Sequence, residues 1–240
     1  MKTKLVLLLS LPLLALAAQN RQGAPATAAG VAPVANQDCI NGDACPLNLA
    51  TPVTPTTLAA SDLDFAIEEE RVAHDVYAAA SAKWNLRVFA NIALAETRHA
   101  AALTQLAATA GVTPPAAQTG VYVTADLQRL HDQLIALANE SETGALRAGA
   151  LIEETDIADL RRLAARATDG VSQAVLANLE RASGNHLAAF VRNLAARGVT
   201  YAPQVLATDD FATLANSMPG GGNGGGGRGG MGGRGYRGGR

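Results

Sequence analysis

Carboxylate and histidine side chains recur in this 240-residue chain at spacings that would bring them together on one face of a helix. The clearest case is Glu96 with His99, because residues three apart lie on the same side of an α-helix. Taken alone the spacing is common, and most such pairs face solvent. Here Ile92, Ala95 and Leu103 share or flank the same stripe, so the pair is predicted to point inward. A buried charge is costly unless it is paired or bound to a metal ion, which makes metal binding the chemistry to expect.

A second group follows the acidic run at residues 68–70. Glu70, His74 and Tyr77 fall on one helix face at spacings of four and three. The alternative interpretation is an ordinary acidic first turn that favours the helix dipole. The run begins almost two turns beyond Ser61, the predicted N-cap, where that effect has faded. We therefore favour a buried Glu70 that is supported by the Tyr77 hydroxyl.

Two further groups lie later in the chain. Glu153 and Asp156 are three residues apart, whereas Glu154 is predicted to point toward Arg161 and solvent. An exposed helix with surface ion pairs explains this segment equally well. His186 lies in an otherwise apolar stretch, where a hydrogen-bonded core histidine is the alternative to a metal ligand.

Long helices must position these groups. Apolar periodicity and Gly or Pro breaks predict four of them, at about residues 62–84, 88–110, 142–167 and 171–197. Residues 111–140 differ, with Pro114-Pro115, an extended piece at 121–123, a shorter helix at 125–138 and an exposed His131. A connection this long suits a crossover that starts the third helix at the opposite end of the bundle. The chain is therefore predicted to be all-α, an antiparallel four-helix bundle with a long crossover between helices 2 and 3.

All four predicted helices offer oxygen or imidazole ligands near their middle. Carboxylates that bridge two ions, with one histidine for each ion, form the ligand set of di-iron and di-manganese centres. These groups lie in four stretches, residues 68–77, 96–99, 152–160 and 185–190. The stretches resemble the ferritin-like superfamily. More narrowly, over about residues 60–200, the chain resembles a bacterial and archaeal family catalogued as a domain of unknown function, number 2202. The resemblance implies a ferritin-like bundle that holds two metal ions, iron or manganese.

Matched residue by residue, the resemblance implies a ligand from each helix. Ser183 departs from the pattern, because a glutamate is expected there, three residues before His186. We hypothesise that Asp156, one turn beyond Glu153, replaces the missing carboxylate. The expected metal ligands, with Tyr77 in support, are Glu70, Glu96, His99, Glu153, Asp156 and His186.

The N-terminal region is predicted to lie outside the bundle. Residues 1–18 carry Lys2 and Lys4, an apolar run and then small residues, which indicates a signal peptide, with an uncleaved anchor as the alternative. The protein is therefore expected to be exported, either periplasmic or secreted. Residues 19–57 are predicted to be a disordered Ala/Pro/Thr-rich leader, in which Cys39 and Cys45 would form a local disulfide.

The C-terminal region has a composition of its own. The bundle is assigned to residues 58–205, and 206–240 form a segment that ends in a disordered Gly/Arg-rich tail. From Pro219 onward there are fourteen glycines, four arginines and no acidic residue, although the whole chain has a formal charge of −2. Arg-Gly repeats can bind RNA, but export argues against a nucleic-acid partner. The tail is expected either to remain solvated or to contact an anionic envelope surface.

These features predict an exported protein with a dinuclear metal centre and ferroxidase or oxygen/peroxide-dependent oxidoreductase activity. The expected partners are metal ions and oxygen or peroxide, and homodimer formation is left open. The alternative is a helical bundle without enzymatic activity, which buffers metal or serves as an envelope interaction module. A metal site is common to the di-iron enzyme and to the metal buffer, and fold alone does not separate them.

Overall fold

The computed structural model describes residues 54–216, which form six α-helices and no strand. The helices are α1 (Ala60–Trp84), α2 (Arg87–Thr109), α3 (Ala125–Glu140), α4 (Glu142–Ala164), α5 (Gly170–Ala195) and α6 (Thr208–Ala215). The predicted all-α class is confirmed over this range, and the extended piece at 121–123 contributes a single bridge, between Gln118 and Val121. None of the described helices has the length and apolar character needed to cross a membrane. The predicted signal peptide, most of the leader, the Cys39–Cys45 disulfide and the Gly/Arg tail lie outside the described residues.

A two-residue turn joins α1 to α2. α1 ends where Asn85 adopts a left-handed conformation, with φ of 52°, and its N–H bonds the carbonyl oxygen of Ser81. The predicted N-cap at Ser61 is wrong, because α1 already begins at Ala60 and has no side-chain cap. The chain is fixed just upstream by Asp169, which accepts hydrogen bonds from the backbone and hydroxyl of Thr57 at 2.8 and 2.9 Å.

Contacts between helix ends give the helix directions. Arg166, just beyond α4, pairs with Asp62 at the start of α1, while Tyr77 near the end of α1 reaches Gly149 in the first half of α4. α1 and α4 are therefore antiparallel. In the same way, the end of α2 meets the start of α5 around Thr56, which bonds Thr109 at 3.0 Å and Ser172 at 2.7 Å.

The segment between α2 and α4 returns the chain along the bundle. It lies against α1, where Glu68 accepts hydrogen bonds from the backbone N–H groups of Val123 and Thr124 at 2.6 and 3.0 Å. At its far end, the Trp84 indole N–H donates to the carbonyl oxygen of Ala138 at 2.8 Å. The exposed position predicted for His131 is wrong, since the side chain is only 12% exposed and its ring packs on Tyr122.

The buried core is divided into two apolar clusters with polar residues between them. One cluster includes Val76, Tyr77, Phe89, Leu146 and Phe190. The other includes Leu63, Ile67, Leu103, Leu160 and Leu176. On α1, α2 and α5 the chain passes from one cluster to the other through residues 68–71, 94–101 and 180–186. These stretches contain most of the predicted ligands, so apolar packing on both sides holds the polar layer in place.

Residues 198–216, the C-terminal strap, fold back onto α4 and α5. Within the strap, Tyr201 and Phe211 are buried and their rings pack together at 5.8 Å. The predicted orientation of Glu154 toward Arg161 and solvent is wrong. Glu154 is fully buried under the strap, and Arg161 pairs instead with Glu180 and Asp210. The sequence analysis did not anticipate that the chain returns over this side of α4.

Candidate metal centre

Each predicted ligand lies on one of the four long helices. α1 carries Glu70, α2 carries Glu96 and His99, α4 carries Glu153 and Asp156, and α5 carries His186. The side chains on α1, α2 and α4 are buried, whereas His186 is 13% exposed. The helix spacing that motivated the prediction therefore does place these groups in the interior.

Three of the groups meet around His99. Its Nδ1 atom lies 2.7 Å from Glu96 Oε2 and 3.3 Å from Glu70 Oε2. Each of these side chains is at most 2% exposed. Two carboxylates and one imidazole thus form a first triad that could hold a metal ion.

A second triad forms around His186. Its Nδ1 atom lies 3.0 Å from Glu96 Oε1 and 3.5 Å from Glu153 Oε2. Glu96 therefore contributes one oxygen to each triad, and the His99 and His186 rings stack with their centroids 5.4 Å apart. The two triads overlap at a single carboxylate, so metal ions bound in them would be neighbours.

Several polar atoms of the triads are buried without a hydrogen-bond partner among residues 54–216. They are Glu70 Oε1, Glu96 Oε1, His99 Nδ1, His99 Nε2 and His186 Nδ1. Most buried polar atoms in proteins are hydrogen-bonded, and leaving one unpaired costs about 1–3 kcal/mol. Carboxylate oxygens and imidazole nitrogens are also donors to divalent metal ions. The residues present therefore fit a metal centre, since close contacts such as that of His99 Nδ1 with Glu96 Oε2 do not give these atoms aligned hydrogen bonds.

Charge balance within the cluster depends on the histidines. Burial raises the pKa of Glu70 to about 8, although His99 acts to lower it. Burial would also raise the pKa of Glu96, but His99 and His186 together hold it below its ordinary value. Burial acts to lower the pKa of His186, and the nearby Glu96 and Glu153 raise it to about 10. Positive charge is thus needed between these carboxylates, and either imidazolium groups or metal ions can supply it.

Tyr77 was expected to support Glu70, but in the structure it supports Glu153, the ligand on α4. Its hydroxyl lies 2.7 Å from Glu153 Oε1 and 3.3 Å from the carbonyl oxygen of Gly149. Burial, followed by the charge of Glu153, raises the pKa of Tyr77 well above its ordinary value, so the phenol remains a donor. The ring packs against Phe89 and Phe190. Because the Tyr77 hydroxyl holds Glu153 Oε1, the other oxygen, Oε2, faces His186.

Asp156 lies beside the cluster but belongs to neither triad within the described chain. Ser183, the residue that stands where a glutamate was expected, donates a hydrogen bond to Asp156 Oδ2 at 2.5 Å. Burial and the charges of Glu70 and Glu153 raise the pKa of Asp156 well above its ordinary value. The α4 carboxylate thus reaches the position of the missing α5 carboxylate, while its role as a ligand remains a prediction.

His74 does not join the cluster, although it shares a predicted face with Glu70. Its side chain is 40% exposed, and Nδ1 lies 2.9 Å from Asp75 Oδ1. Asp75 in turn accepts hydrogen bonds from Gly120 N–H at 2.8 Å and the Tyr122 hydroxyl at 2.7 Å. His74 and Asp75 therefore help to attach the crossover to α1.

Four further buried carboxylates on α1 and α4 were not predicted from the sequence. Glu68, Glu69, Asp75 and Glu154 are each at most 8% exposed. Glu68 and Asp75 hold the crossover, and Glu154 holds the C-terminal strap. The available signal was the length of these irregular segments, whose backbone N–H groups need acceptors when they are buried.

The fold and the overlapping triads define a helical-bundle protein with a buried site that could hold metal ions. The chain belongs to the family described as an uncharacterised protein domain, DUF2202, whose profile matches residues 60–218. It is 34% identical over 152 residues to the uncharacterised protein MJ0754 of Methanocaldococcus jannaschii, over 62% of this chain and 82% of that protein. The crystal structure of the hypothetical protein MJ0754 has a similar fold, with a TM-score of 0.65 at 33% identity. That match covers 67% of this chain and 93% of the crystallised chain.

Proposed function

We propose that this chain is an exported, ferritin-like protein that binds two iron ions and oxidises iron(II) with oxygen or peroxide. The observation that carries the metal site is the pair of triads that share Glu96 and leave buried donor atoms unpaired. Export is supported by the charged, apolar and small-residue pattern of residues 1–18. The proposal therefore joins a site seen in the fold to a location suggested by the sequence.

The ferritin-like assignment is supported by the order of the helices. α1 and α2 form one antiparallel pair, α4 and α5 form another, and the crossover with α3 lies between them. α1 is antiparallel to α4, and the end of α2 meets the start of α5. Four long helices with one long crossover is the connection pattern of ferritin-like bundles, which build di-metal sites in their core.

Six residues would hold the two ions. Glu70 and His99 would bind one ion, Glu153 and His186 the other, and Glu96 would bind both. Asp156, released from Ser183, would add a sixth ligand. A set of carboxylates and imidazoles without thiolate suits iron or manganese. When bound, an iron pair supplies the redox chemistry toward oxygen or peroxide.

The remaining residues hold and enclose the ligands. Tyr77 fixes Glu153 through its hydroxyl, while the apolar clusters on both sides exclude water from the polar layer. Solvent approaches the triads most closely at His186, the only ligand among the triads that is more than 2% exposed. Small reactants such as metal ions and oxygen suit a centre that is this deeply buried.

Metal content and iron oxidation test the proposal directly. The full chain, loaded anaerobically with iron(II), is expected to retain two ions per chain after gel filtration, as measured by elemental analysis. Mixing with oxygen should then produce iron(III) absorbance faster than in protein-free buffer. Glu96→Gln should lose both properties, whereas Glu140→Gln, at an exposed site on α3, should keep them. A wild-type chain that retains no stoichiometric metal at any loading would exclude the centre.

The same burial favours metal buffering as a second candidate function. Glu70, Glu96, His99 and Glu153 are each at most 2% exposed, which suits slow release of a held ion. Two bound ions without accelerated iron(II) oxidation would select the buffer over the enzyme.

A further inference from the structure

Glu154 is a buried carboxylate whose partners all belong to the C-terminal strap. Its Oε1 accepts a hydrogen bond from the Tyr201 hydroxyl at 2.7 Å. Its Oε2 accepts from three consecutive backbone N–H groups, those of Gln204, Val205 and Leu206, at 3.1, 3.0 and 3.0 Å. The residue is fully buried. One side chain of α4 therefore fixes the path of the returning chain.

The strap also contacts α5 close to the second triad. A Cβ atom added at Gly184 would lie 3.2 Å from Leu214 Cδ2, so α6 packs directly on this part of α5. Gly184 is two residues before His186. Arg161 of α4 pairs with both Glu180 of α5 and Asp210 of α6. The strap thus links the two helices that carry Glu153 and His186.

The first triad has no such dependence on the strap. Glu70, Glu96 and His99 lie on α1 and α2, which are joined by the short turn at Asn85–Leu86. Glu68, two residues before Glu70, is the carboxylate of α1 that holds an irregular segment, and its partners lie in the crossover. Each half of the centre therefore has its own buried carboxylate on the outer side of a ligand helix.

We infer that Glu154 is a positioning residue for the second metal subsite, which rests on the proposed two-ion centre. Glu153 and Glu154 are neighbours on α4, and they point in different directions because successive helix residues are about 100° apart. Glu153 faces His186, while Glu154 binds the strap on the outer side. Strap attachment fixes the rotation of α4 and the distance of α4 from α5. Loss of this attachment lets Glu153 and His186 separate, while Glu70, Glu96 and His99 keep their places.

The test is a manganese(II) titration of the full chain, with electron paramagnetic resonance to count free and coupled ions. Wild type is expected to bind two ions as a coupled pair. Glu154→Gln should bind the first ion as wild type does and the second about 10- to 100-fold more weakly, the range found when residues that orient metal ligands are replaced. Its spectrum at one equivalent should be that of an isolated ion. Tyr201→Phe, which keeps the ring next to Phe211 but removes one donor, should weaken the second ion by a smaller factor.

Glu68→Gln is the matched control, since it removes the charge of a buried carboxylate that holds the crossover. Glu68→Gln should leave unchanged the ratio between the affinity for the second manganese ion and the affinity for the first. Equal weakening of both ions in Glu154→Gln, in parallel with a lower melting temperature, would show a purely structural role and overturn the inference. Two ions of wild-type affinity in Glu154→Gln would overturn it as well, while leaving the proposed centre intact.

If Glu154→Gln does not fold, Tyr201→Phe decides the question by the same ratio of second-ion to first-ion affinity. A wild-type chain that binds no manganese and no iron would overturn the centre and the inference together.

Discussion

Most of the buried carboxylates among the described residues fall into two sets. In the ligand set, represented by Glu70 and Glu96, oxygens face other ionisable groups and some have no hydrogen-bond donor in the described structure. In the anchor set, which comprises Glu68, Asp75, Glu154 and Asp169, the carboxylates accept hydrogen bonds from backbone N–H groups and hydroxyls. Burial of an acid is therefore not by itself a sign of metal binding. The distinguishing feature is whether the protein supplies the partners.

The pKa of Glu70 in the ligand set and the pKa of Asp169 in the anchor set shift in opposite directions. Burial raises the pKa of Glu70 to about 8, although the nearby His99 acts to lower it. For Asp169, burial also acts to raise the pKa, but hydrogen bonds from Ser172 and Thr57 lower it below its ordinary value. Asp169 is thus stabilised as an anion in the folded chain, whereas Glu70 needs a nearby cation.

The largest effect is expected from Glu96, because it faces both triads. Glu96→Gln should reduce bound metal from two ions per chain to none under conditions that saturate wild type, as measured by elemental analysis. His186→Gln should remove one ion only. If Glu96→Gln still binds two ions, the shared-carboxylate arrangement is wrong.

Without metal, loss of an anchor carboxylate should reduce the free energy of unfolding more than loss of a ligand carboxylate. In the presence of a chelator, Glu154→Gln is expected to lower the free energy of unfolding by about 2–3 kcal/mol, since one acceptor oxygen becomes an NH2 group and the other hydrogen bonds lose the negative charge. Glu70→Gln should change it by about 1 kcal/mol or less, because that carboxylate has few partners to lose. Urea denaturation followed by circular dichroism measures both. Equal losses would contradict the division into ligands and anchors.

Helix spacing next to the ligand set gives a smaller effect. A Cβ atom at Gly149 would lie 2.7 Å from the Phe190 ring, so Gly149→Ala must push α4 and α5 apart. We expect a loss of about 1–3 kcal/mol in unfolding free energy. Gly170→Ala, where an added Cβ meets nothing within 4 Å, serves as the control and should be close to neutral. Similar losses in both variants would point to backbone effects rather than to this contact.

The smallest effect concerns acid pH and the anchor Asp169. Its pKa is lowered in the folded chain, so its stabilising contribution is present above the unfolded value of about 3.9 and is lost as pH falls through the folded value. Wild type and Asp169→Asn should therefore differ in unfolding free energy at pH 6, and the difference should shrink as pH falls through the folded pKa of Asp169. A constant difference across this range would mean that the Asp169 charge does not contribute.

The four long helices and most ligand positions could be predicted because their signals are local. Glu96 and His99 are three residues apart, and helix geometry alone places them together. Tyr77 is buried as expected, but its hydroxyl bonds Glu153 rather than Glu70, because the partner depends on how α1 packs against α4. Four helices with polar residues at similar depth leave few ways to pack.

The main errors involve contacts made by irregular segments of the chain. Glu154 was expected to face solvent because the strap that covers it lies about 50 residues further along. Ser61 was expected to cap α1, whereas the helix begins at Ala60 and Asp169, at the start of α5, holds Thr57 upstream of it. His131 was expected to be exposed, but Tyr122 packs on it. Helix periodicity carries no information about where an irregular segment will lie.

The single carboxylate common to both triads has a further consequence for how the ions bind. An ion at Glu70, Glu96 and His99 alters the charge that a second ion meets at the opposite oxygen of Glu96. The two binding steps are then thermodynamically coupled, and the factor by which the first ion changes the affinity for the second is the same in either order. Occupancy of this centre is therefore expected to follow a cooperative or anticooperative isotherm rather than that of two independent sites.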